Sequence, residues 1–283
     1  MASPAAFDAY SPKEIAERVR CASIAKAALP LLSLVMLGIL AGAFIGLGSL
    51  FYVIVMSDAA LGFAASRVIG GVAFSLGLLL VVVAGAELFT GNNLLAMAWA
   101  QGSLTTRDVL HNWAVVCAAN FAGAAGLAAV VFLSGHADMN GRRIGETYLQ
   151  IAAAKSSLPF WTVFWRGVLC NVLVCMAVWM TLAGRSVVDK AVAIVFPIAA
   201  FVAAGFEHSV ANMYFFPLAM MLQAGAGEPV QAAWLWRNLV PVIAGNLVGG
   251  SVLVALVYYV IYLRPGASQA EPRRPVPAPT RIA

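Results

Sequence analysis

Two short segments with the same residue pattern carry most of the side chains in this sequence that could do chemistry. Residues 85–92 read GAELFTGN and residues 205–212 read GFEHSVAN, so both follow the pattern G-x-E-x-x-x-x-N. Each segment lies inside a long apolar stretch, where polar and ionisable side chains are costly and usually functional. Matched interruptions in the two halves of a membrane protein indicate a transport site near the middle of the bilayer.

His208 is the strongest candidate for chemistry at these interruptions. An imidazole near its ordinary pKa can donate a hydrogen bond or a proton without carrying a permanent charge. We therefore expect His208 to attract the anion of a weak acid and to let it pass as the neutral acid. Thr90, in the first segment, can donate its hydroxyl hydrogen to an anion or to the imidazole. The alternatives are a histidine that only bonds the backbone and a threonine that only caps a helix.

Glu87 and Glu207 occupy the same position in the two segments, as do Asn92 and Asn212. The carboxylates could relay protons, or they could accept hydrogen bonds from amides that a broken helix leaves free. Only one segment contains a histidine, so the chemistry should be asymmetric and the scaffolding symmetric. We therefore favour scaffolding for the two glutamates and treat the two asparagines as structural residues of the breaks.

The composition requires these segments to lie in a polytopic membrane protein. The 283 residues are 62% hydrophobic and only 10% charged, against about 25% charge in a soluble domain. Apolar stretches of about 20 residues or more predict six spans. The second and fifth stretches are too long for one straight span and too short for two, which predicts helices broken at the glycines and asparagines of the motifs. The six spans are roughly 29–56, 67–100, 110–134, 159–183, 190–223 and 235–263.

A second pair of matching motifs indicates an internal repeat. Asn120-x-x-Gly123 in the third span corresponds to Asn246-x-x-Gly249 in the sixth. Three spans in each half place the halves in opposite orientations, which predicts an inverted 3+3 repeat. Small residues in the third and sixth spans also predict close helix packing; they are Gly123, Gly126, Gly245, Gly249 and Gly250.

The distribution of charge predicts the orientation and the ends of the chain. Eleven of the 17 lysines and arginines fall on the side that holds both termini, which places the termini in the cytoplasm. We expect an amphipathic cytoplasmic helix in residues 1–28, a transmembrane domain in 29–264 and a disordered cytoplasmic tail in 265–283. The basic residues form no stripe, so no nucleic-acid partner is expected. The cysteine spacing fits no zinc or redox site, and neither a metal nor a cofactor is expected.

Further polar and aromatic residues near the breaks each have two interpretations. Lys155, just before the fourth span, would concentrate anions at an outer mouth, or it is a solvated loop charge. Arg166, inside that span, is explained most simply by snorkelling to the outer interface. Four side chains flank the breaks and could form hydrophobic constrictions, although packing is their default role; they are Phe74, Leu78, Phe89 and Phe201.

Two other classes of protein fit the sequence less well than an anion channel or a proton-linked anion carrier. An intramembrane enzyme would need a nucleophile with a base or a metal cluster. The three histidines lie in different segments, and neither H-E-x-x-H nor G-x-S-x-G occurs. We therefore expect no enzymatic activity. A channel for water or glycerol fits less well because the aquaporin asparagine-proline-alanine signature is missing and His208 suits an acid.

At these motifs the chain resembles the formate/nitrite transporter family, over nearly all of residues 20–264. The matching segments are ELFTG at 87–91, LCNVLVCMAVWM at 169–180, GFEHSVANM at 205–213 and NLVPVIAGN at 238–246, together with Lys155. The resemblance implies an aquaporin-like, all-α fold of six spans in a bacterial cytoplasmic (inner) membrane. It also implies a homopentamer with one pore per protomer, passing formate, nitrite or hydrosulfide with protons.

The resemblance also implies roles for individual residues. His208 would be the central proton donor and Thr90 its partner, while Lys155 and Asn171 would match an outer vestibule that draws in the anion. Phe74, Leu78, Phe89 and Phe201 would match constriction positions. The segments 184–190, 212–217 and 258–264 look like formate channels, whereas ELFTG and Arg166 look more like nitrite channels. Formate is therefore the favoured substrate and nitrite the second.

Overall fold

The computed structural model describes residues 9–265, which fold into helices and connecting loops with no strand in that range. Helix α1 spans Pro12–Ala27 and begins with a capping box, in which the Ser11 hydroxyl accepts from the Glu14 amide and the Glu14 carboxylate accepts from the Ser11 amide. Proline at the first helical position fits this start. The tail predicted for 265–283 lies outside the described residues, apart from residue 265.

The first half of the chain contains two long helices around an interrupted one. Helix α2 spans Leu31–Met56 and α6 spans Thr106–Leu133. Between them, α3 runs from Phe63 to Leu80 and ends in a π-helical turn at Val81–Gly85, after which the chain is extended. Two short helices then complete the stretch: α4 spans Phe89–Asn92 and α5 spans Leu95–Ala100.

The second half follows the same order after an additional helix. Helix α7 spans Arg143–Ser156 and is followed by α8, Phe160–Thr181. The interrupted stretch consists of α9, Val187–Ala203, and α10, Ser209–Gly225. The last stretch is helical throughout: α11 spans Ala233–Leu247, a π-helical segment spans Val248–Leu256, and α12 spans Val257–Tyr262.

Helix α7 was not predicted from the sequence. Its buried residues Ile144, Tyr148 and Ala152 recur every four positions, so one narrow face packs on the bundle and the other faces remain open. The helix carries several polar residues and is too short to read as a span. Its importance is that its last turn contains Lys155, a residue that the candidate site uses.

Five helical segments within residues 9–265 are long and apolar enough to cross a membrane. Helices α9 and α10 have 17 residues each and fall short of that length individually, because the chain breaks between them. The bounds of all six predicted stretches agree with the helices within a few residues. The five segments are Leu31–Met56, Phe63–Gly85, Thr106–Leu133, Phe160–Thr181 and Ala233–Tyr262.

Each of the two breaks contains a glycine with a left-handed backbone conformation. Gly85 and Gly205 adopt positive φ angles of 83° and 72°, the left-handed region in which a Cβ atom is strained. The first helical segment ends at Gly85 and α9 ends at Ala203, two residues before Gly205, and new helices begin at Phe89 and Ser209. The glycine of each motif therefore lies at or just after the end of one helix and redirects the chain into the next.

Glycines bring the long helices of each half into backbone contact. A Cβ on Gly123 would overlap the Ile39 carbonyl, so α6 lies directly on α2; one on Gly249 would overlap the Val168 carbonyl, so the last helical stretch lies on α8. Gly245 and Gly250 are also tightly enclosed. Gly126, predicted to pack closely, has nothing within 4 Å, so this expectation was wrong. The close contacts hold the breaks between fixed walls.

Candidate functional site

The two breaks meet at a contact between Thr90 and His208. Thr90 Oγ1 lies 3.1 Å from His208 Nε2, although the residues are 118 positions apart in the chain. Both are buried, with exposed fractions of 0% and 3%. The structure thus brings together the two residues that the sequence analysis singled out for chemistry.

The hydrogen bonds of His208 define its tautomer. His208 is the N-cap of α10, and its Nδ1 accepts a hydrogen bond of 3.2 Å from the Ala211 amide. An acceptor nitrogen carries no hydrogen, so the neutral ring has its hydrogen on Nε2. Nε2 therefore donates to Thr90 Oγ1, and the Thr90 hydroxyl hydrogen can point elsewhere. Adding a proton at Nδ1 would set two N–H groups against each other.

Aromatic rings cover the imidazole. The Phe201 ring stacks on His208 with centroids 5.9 Å apart and an angle of 19°, while Phe74 meets the same ring edge-on at 6.5 Å. Phe74 and Phe201 also contact each other at 5.7 Å. These buried apolar groups surround a polar side chain that has a single hydrogen to donate.

Two cavities approach the breaks. The first, of about 420 Å³, is lined by Lys26, Leu37, Leu78 and Glu87 among others, and we call it the Lys26 cavity. The second, of about 360 Å³, is called the Lys155 cavity. Its lining includes Phe74, Phe201 and His208 at one end and charged residues elsewhere, namely Arg67, Lys155, Arg166 and Glu207. Leu78 lines the Lys26 cavity, whereas Phe74 and Phe201 line the Lys155 cavity; Thr90 lines neither.

In the second half, a buried ion pair anchors the break. Lys155 Nζ donates to both carboxylate oxygens of Glu207, at 2.9 and 3.0 Å, and the Glu207 side chain is only 3% exposed. The Asn212 amide donates to Glu207 Oε2 at 2.7 Å and to the Asn238 side-chain oxygen at 2.6 Å. Lys155 is therefore a partner of the break rather than a solvated loop charge.

The first half contains the corresponding arrangement. Lys26 Nζ donates to Glu87 Oε1 at 2.6 Å and to the Asn92 side-chain oxygen at 3.1 Å. The Asn92 amide donates to Glu87 Oε2 at 2.7 Å and to the Asn112 oxygen at 2.9 Å. A lysine, a glutamate and two asparagines thus occupy matching places in both halves.

Two further asparagines hold the backbone of the breaks. The Asn120 side chain accepts from the Phe89 amide at 2.9 Å and donates to the Glu87 carbonyl at 2.9 Å. The Asn246 side chain accepts from the Ser209 amide at 3.0 Å and donates to the Glu207 carbonyl at 3.1 Å. These bonds satisfy backbone groups that a broken helix leaves without partners. The same pairs of contacts appear in both halves, which identifies them as scaffolding.

Three predicted site residues lie where the sequence did not indicate. Asn171 is fully buried and lines neither cavity, because its amide donates to the Thr90 carbonyl, the Asn93 side chain and the Asn246 carbonyl. Phe89 is likewise buried outside both cavity linings. Arg166, for which the sequence suggests snorkelling to the outer interface, lines the Lys155 cavity, with Nη1 3.5 Å from the Gly205 carbonyl.

The sequence analysis missed Lys26, Asn112 and Asn238. The signal that could have found Lys26 was the repeat itself: Lys26 stands just before the first span as Lys155 stands before the fourth. Pairing those two spans, as was done for the second with the fifth and the third with the sixth, would have matched the lysines. Nothing in the sequence near Lys26 indicated that it contacts Glu87.

A titratable group outside the spans acts in helix capping. Hydrogen bonds from Ser11 lower the pKa of Glu14 in α1. This carboxylate is exposed and lies in the first turn of its helix, where a negative charge is favourable. Within residues 9–265 no three His, Cys, Asp or Glu side chains cluster so that they could hold a metal ion.

Broken helices in an apolar bundle, with a buried histidine that lines one cavity, are features of channels and transporters. The sequence matches the family model described as formate/nitrite transporter over residues 13–260. The chain belongs to this family, as the resemblance predicted. It is 37% identical over 274 residues to the formate channel FocA of Escherichia coli strain K12, covering 91% of this chain and 96% of that protein.

Other relatives and solved structures agree with the family. The formate channel BtFdhC of Bacillus thuringiensis is 37% identical over 261 residues, covering 89% of this chain and 96% of that protein. A structure described as a pentameric formate channel with formate bound superimposes with a TM-score of 0.76 at 35% identity, covering 83% of this chain and 98% of that one. The overall fold is therefore that of a known channel family.

Proposed function

We propose that this protein is a membrane channel or transporter for small monovalent anions of weak acids, with formate as the favoured substrate. The observation that carries this proposal is the buried Thr90–His208 contact, in which His208 also lines the Lys155 cavity. It presents a hydrogen-bond donor to an anion at the point where the pathway becomes apolar. The two named formate channels among the relatives support formate as the substrate.

The tautomer of His208 supports a specific division of labour. With Nδ1 occupied by the Ala211 amide, Nε2 offers one hydrogen bond, and an anion that reaches it replaces or joins Thr90 as the acceptor. The ring remains neutral, so the proton that accompanies the anion comes from a hydronium ion in the cavity through which the anion arrives, and that ion is left as water. The anion and one proton then move on together as the neutral acid, which leaves no net charge to desolvate.

The apolar side chains explain why a neutral species is needed. Phe74, Phe201 and Leu78 are at most 4% exposed. A bare anion in such a layer loses its hydration, at a cost of many kcal/mol, whereas the protonated acid is small and uncharged. These three residues therefore form the constriction in this proposal. Phe89 contributes to its packing.

The membrane arrangement is proposed as six spans in an inverted 3+3 repeat. Helices α3 to α5 and α9 to α10 each form one broken span, and the matching bonds of the two halves support their equivalence. The protein lies in a bacterial inner membrane with both termini on the cytoplasmic side. In this orientation the Lys155 cavity faces outward and the Lys26 cavity faces the cytoplasm. The pentamer of the related structure supports a homopentamer with one pathway in each protomer.

The test is uptake into liposomes containing the purified protein. Formate uptake should increase as the external pH falls, because more protons are available to accompany each anion. His208→Phe should abolish this uptake, while His208→Asn, which retains an N–H donor but cannot titrate, should keep a measurable part of it. His111→Phe, at an exposed position on α6, is the matched control and should leave uptake unchanged.

The outcomes separate the alternatives. Uptake that is lost equally in His208→Phe and His208→Asn would show that the ring itself must bind and release the proton. Flux of nitrite without formate would make nitrite, to which the ELFTG segment is similar, the substrate of the same pathway. Uptake of neither formate nor nitrite, in liposomes that still show water flux through the protein, would contradict the proposal.

A further inference from the structure

The Lys155 cavity has an excess of positive charge that the scaffolding does not explain. Its lining contains three basic side chains and one carboxylate, which leaves a formal excess of two positive charges. The Lys26 cavity is lined by one lysine and one glutamate, which compensate each other. The electrostatic potential of the two cavities therefore differs, although their scaffolds match.

The excess does not come from Lys155. That lysine is neutralised by Glu207 through two short hydrogen bonds. Arg166 is different: among residues 9–265 none of the ion pairs within 4.0 Å involves it. Its recorded side-chain partner is the Gly205 carbonyl, which engages one of the five guanidinium N–H groups. Arg166 is thus a half-buried cation inside a helix long enough to cross the membrane. Guanidinium N–H groups other than the one bonded to Gly205 can donate to a ligand.

The matching position in the other half shows that this arginine is not needed for the scaffold. The Arg166 carbonyl accepts from the Glu207 amide at 3.3 Å, and the Leu37 carbonyl accepts from the Glu87 amide at 3.2 Å. Leu37 also lines its own cavity. The backbone role is therefore shared by both halves, while the charged side chain occurs in only one. An unpaired cation in a membrane helix is costly and is retained where it binds something.

We propose that Arg166 forms an anion-binding subsite in the Lys155 cavity that selects planar anions with two oxygen atoms. This inference rests on the proposed function. A guanidinium offers parallel N–H groups that match the two oxygens of a carboxylate or nitrite, whereas a single-atom anion such as hydrosulfide or chloride can use only its charge. Arg67, the other basic side chain outside the Glu207 ion pair, adds to the positive potential.

Three substitutions separate charge, shape and helix capping. Arg166→Leu removes the charge and copies the residue at the matching position, so the scaffold should tolerate it. Arg166→Gln removes the charge but can still donate to the Gly205 carbonyl. Arg166→Lys keeps the charge and loses the paired donors. Arg143→Gln, at an exposed position on α7, is the control.

The first measurement is the half-saturating concentration of formate for uptake from the cavity side, at low and high salt. Arg166→Leu and Arg166→Gln should both raise it about three- to tenfold at low ionic strength, with a smaller difference at high salt. Arg166→Lys should keep the salt dependence but reduce the preference for formate over hydrosulfide by about three- to tenfold. A change in the maximal rate alone would overturn the inference. So would a raised half-saturating concentration in Arg166→Leu but not in Arg166→Gln, which would assign Arg166 to helix capping.

A second measurement does not depend on transport. In detergent solution, formate should protect Arg166 from an arginine-selective dicarbonyl reagent at concentrations at which chloride does not, as quantified by mass spectrometry of the peptide containing Arg166. Equal protection by both anions, or none, would overturn the subsite even if the protein carries formate. Protection without formate uptake would instead retain the subsite and contradict the proposed function.

Discussion

Removal of the Lys155 side chain should destabilise the protein strongly, even though a lysine at a cavity mouth could be dismissed as a surface charge. Glu207 has 3% of its side chain exposed and Lys155 has 19%. In Lys155→Met, the carboxylate would keep its bond from Asn212 at 2.7 Å and a longer one from Asn238 at 3.4 Å. Two asparagine amides do not compensate a full negative charge in this environment.

The magnitude follows from the burial of the pair. Breaking a buried ion pair by removing one partner costs about 3–5 kcal/mol, because the remaining charge is left uncompensated. Partial exposure of Lys155 places the expected loss near the lower end, at about 3 kcal/mol. The equivalent pair is more open, with 33% of Lys26 and 8% of Glu87 exposed, so Lys26→Met should cost less, on the order of 1–2 kcal/mol.

The assay is reversible unfolding of the purified protein in mixed micelles. It is followed for Lys155→Met, for Lys26→Met and for the double variant Lys155→Met/Glu207→Gln. The double variant has no uncompensated charge, so it should be more stable than Lys155→Met by about 1–3 kcal/mol. Lys155→Met as stable as the unmodified protein would refute the reasoning. A double variant no more stable than Lys155→Met would show that lost packing, rather than an orphaned carboxylate, causes the effect.

Two further predictions concern packing and capping. Gly123→Ala should lower the stability by about 1–3 kcal/mol, because the new methyl group would overlap the Ile39 carbonyl. Gly126→Ala is the control, because a Cβ atom there has nothing within 4 Å. In the same unfolding assay it should be neutral or stabilising by up to about 1 kcal/mol. Glu14→Gln should reduce stability near neutral pH, since the hydrogen bonds of Ser11 lower the carboxyl pKa in the folded state. A lowered folded-state pKa stabilises the protein above the ordinary value of 4.5, and this contribution is lost as the pH falls through the lowered folded-state pKa. A difference that persists in stronger acid would exclude the charge as its cause.

The sequence could predict the breaks because their signals are local. The left-handed glycines, Gly85 and Gly205, and the polar residues that follow them stand out within long apolar runs, and the internal match between them reduces the chance of coincidence. Asn120 and Asn246 were identified as repeat markers for the same reason. The structure adds that their side chains bond the backbone of the breaks.

The partners of the breaks could not be predicted, because they come from residues distant in the chain. Lys26 lies 61 positions before Glu87 and Lys155 lies 52 before Glu207, so their contacts depend on how the helices pack. Asn171 could be recognised as unusual, but its burial beneath the Thr90 carbonyl is a property of the assembled bundle. Helix α7 escaped prediction because its apolar face is narrow.

Comparison of the two halves separates structure from chemistry. The ion pairs and the asparagine bonds to the backbone occur in both halves, so they suit any protein that must hold a broken helix in a bilayer. His208 and Arg166 stand where the other half has Leu88 and Leu37. Leu37 shares the backbone role of Arg166, whereas His208 also caps α10 through Nδ1, a bond that Leu88 does not make for α4. The Arg166 side chain is therefore not required by the shared scaffold, and it lines the same cavity as His208, the one asymmetric residue of the breaks that can donate a hydrogen bond from an imidazole.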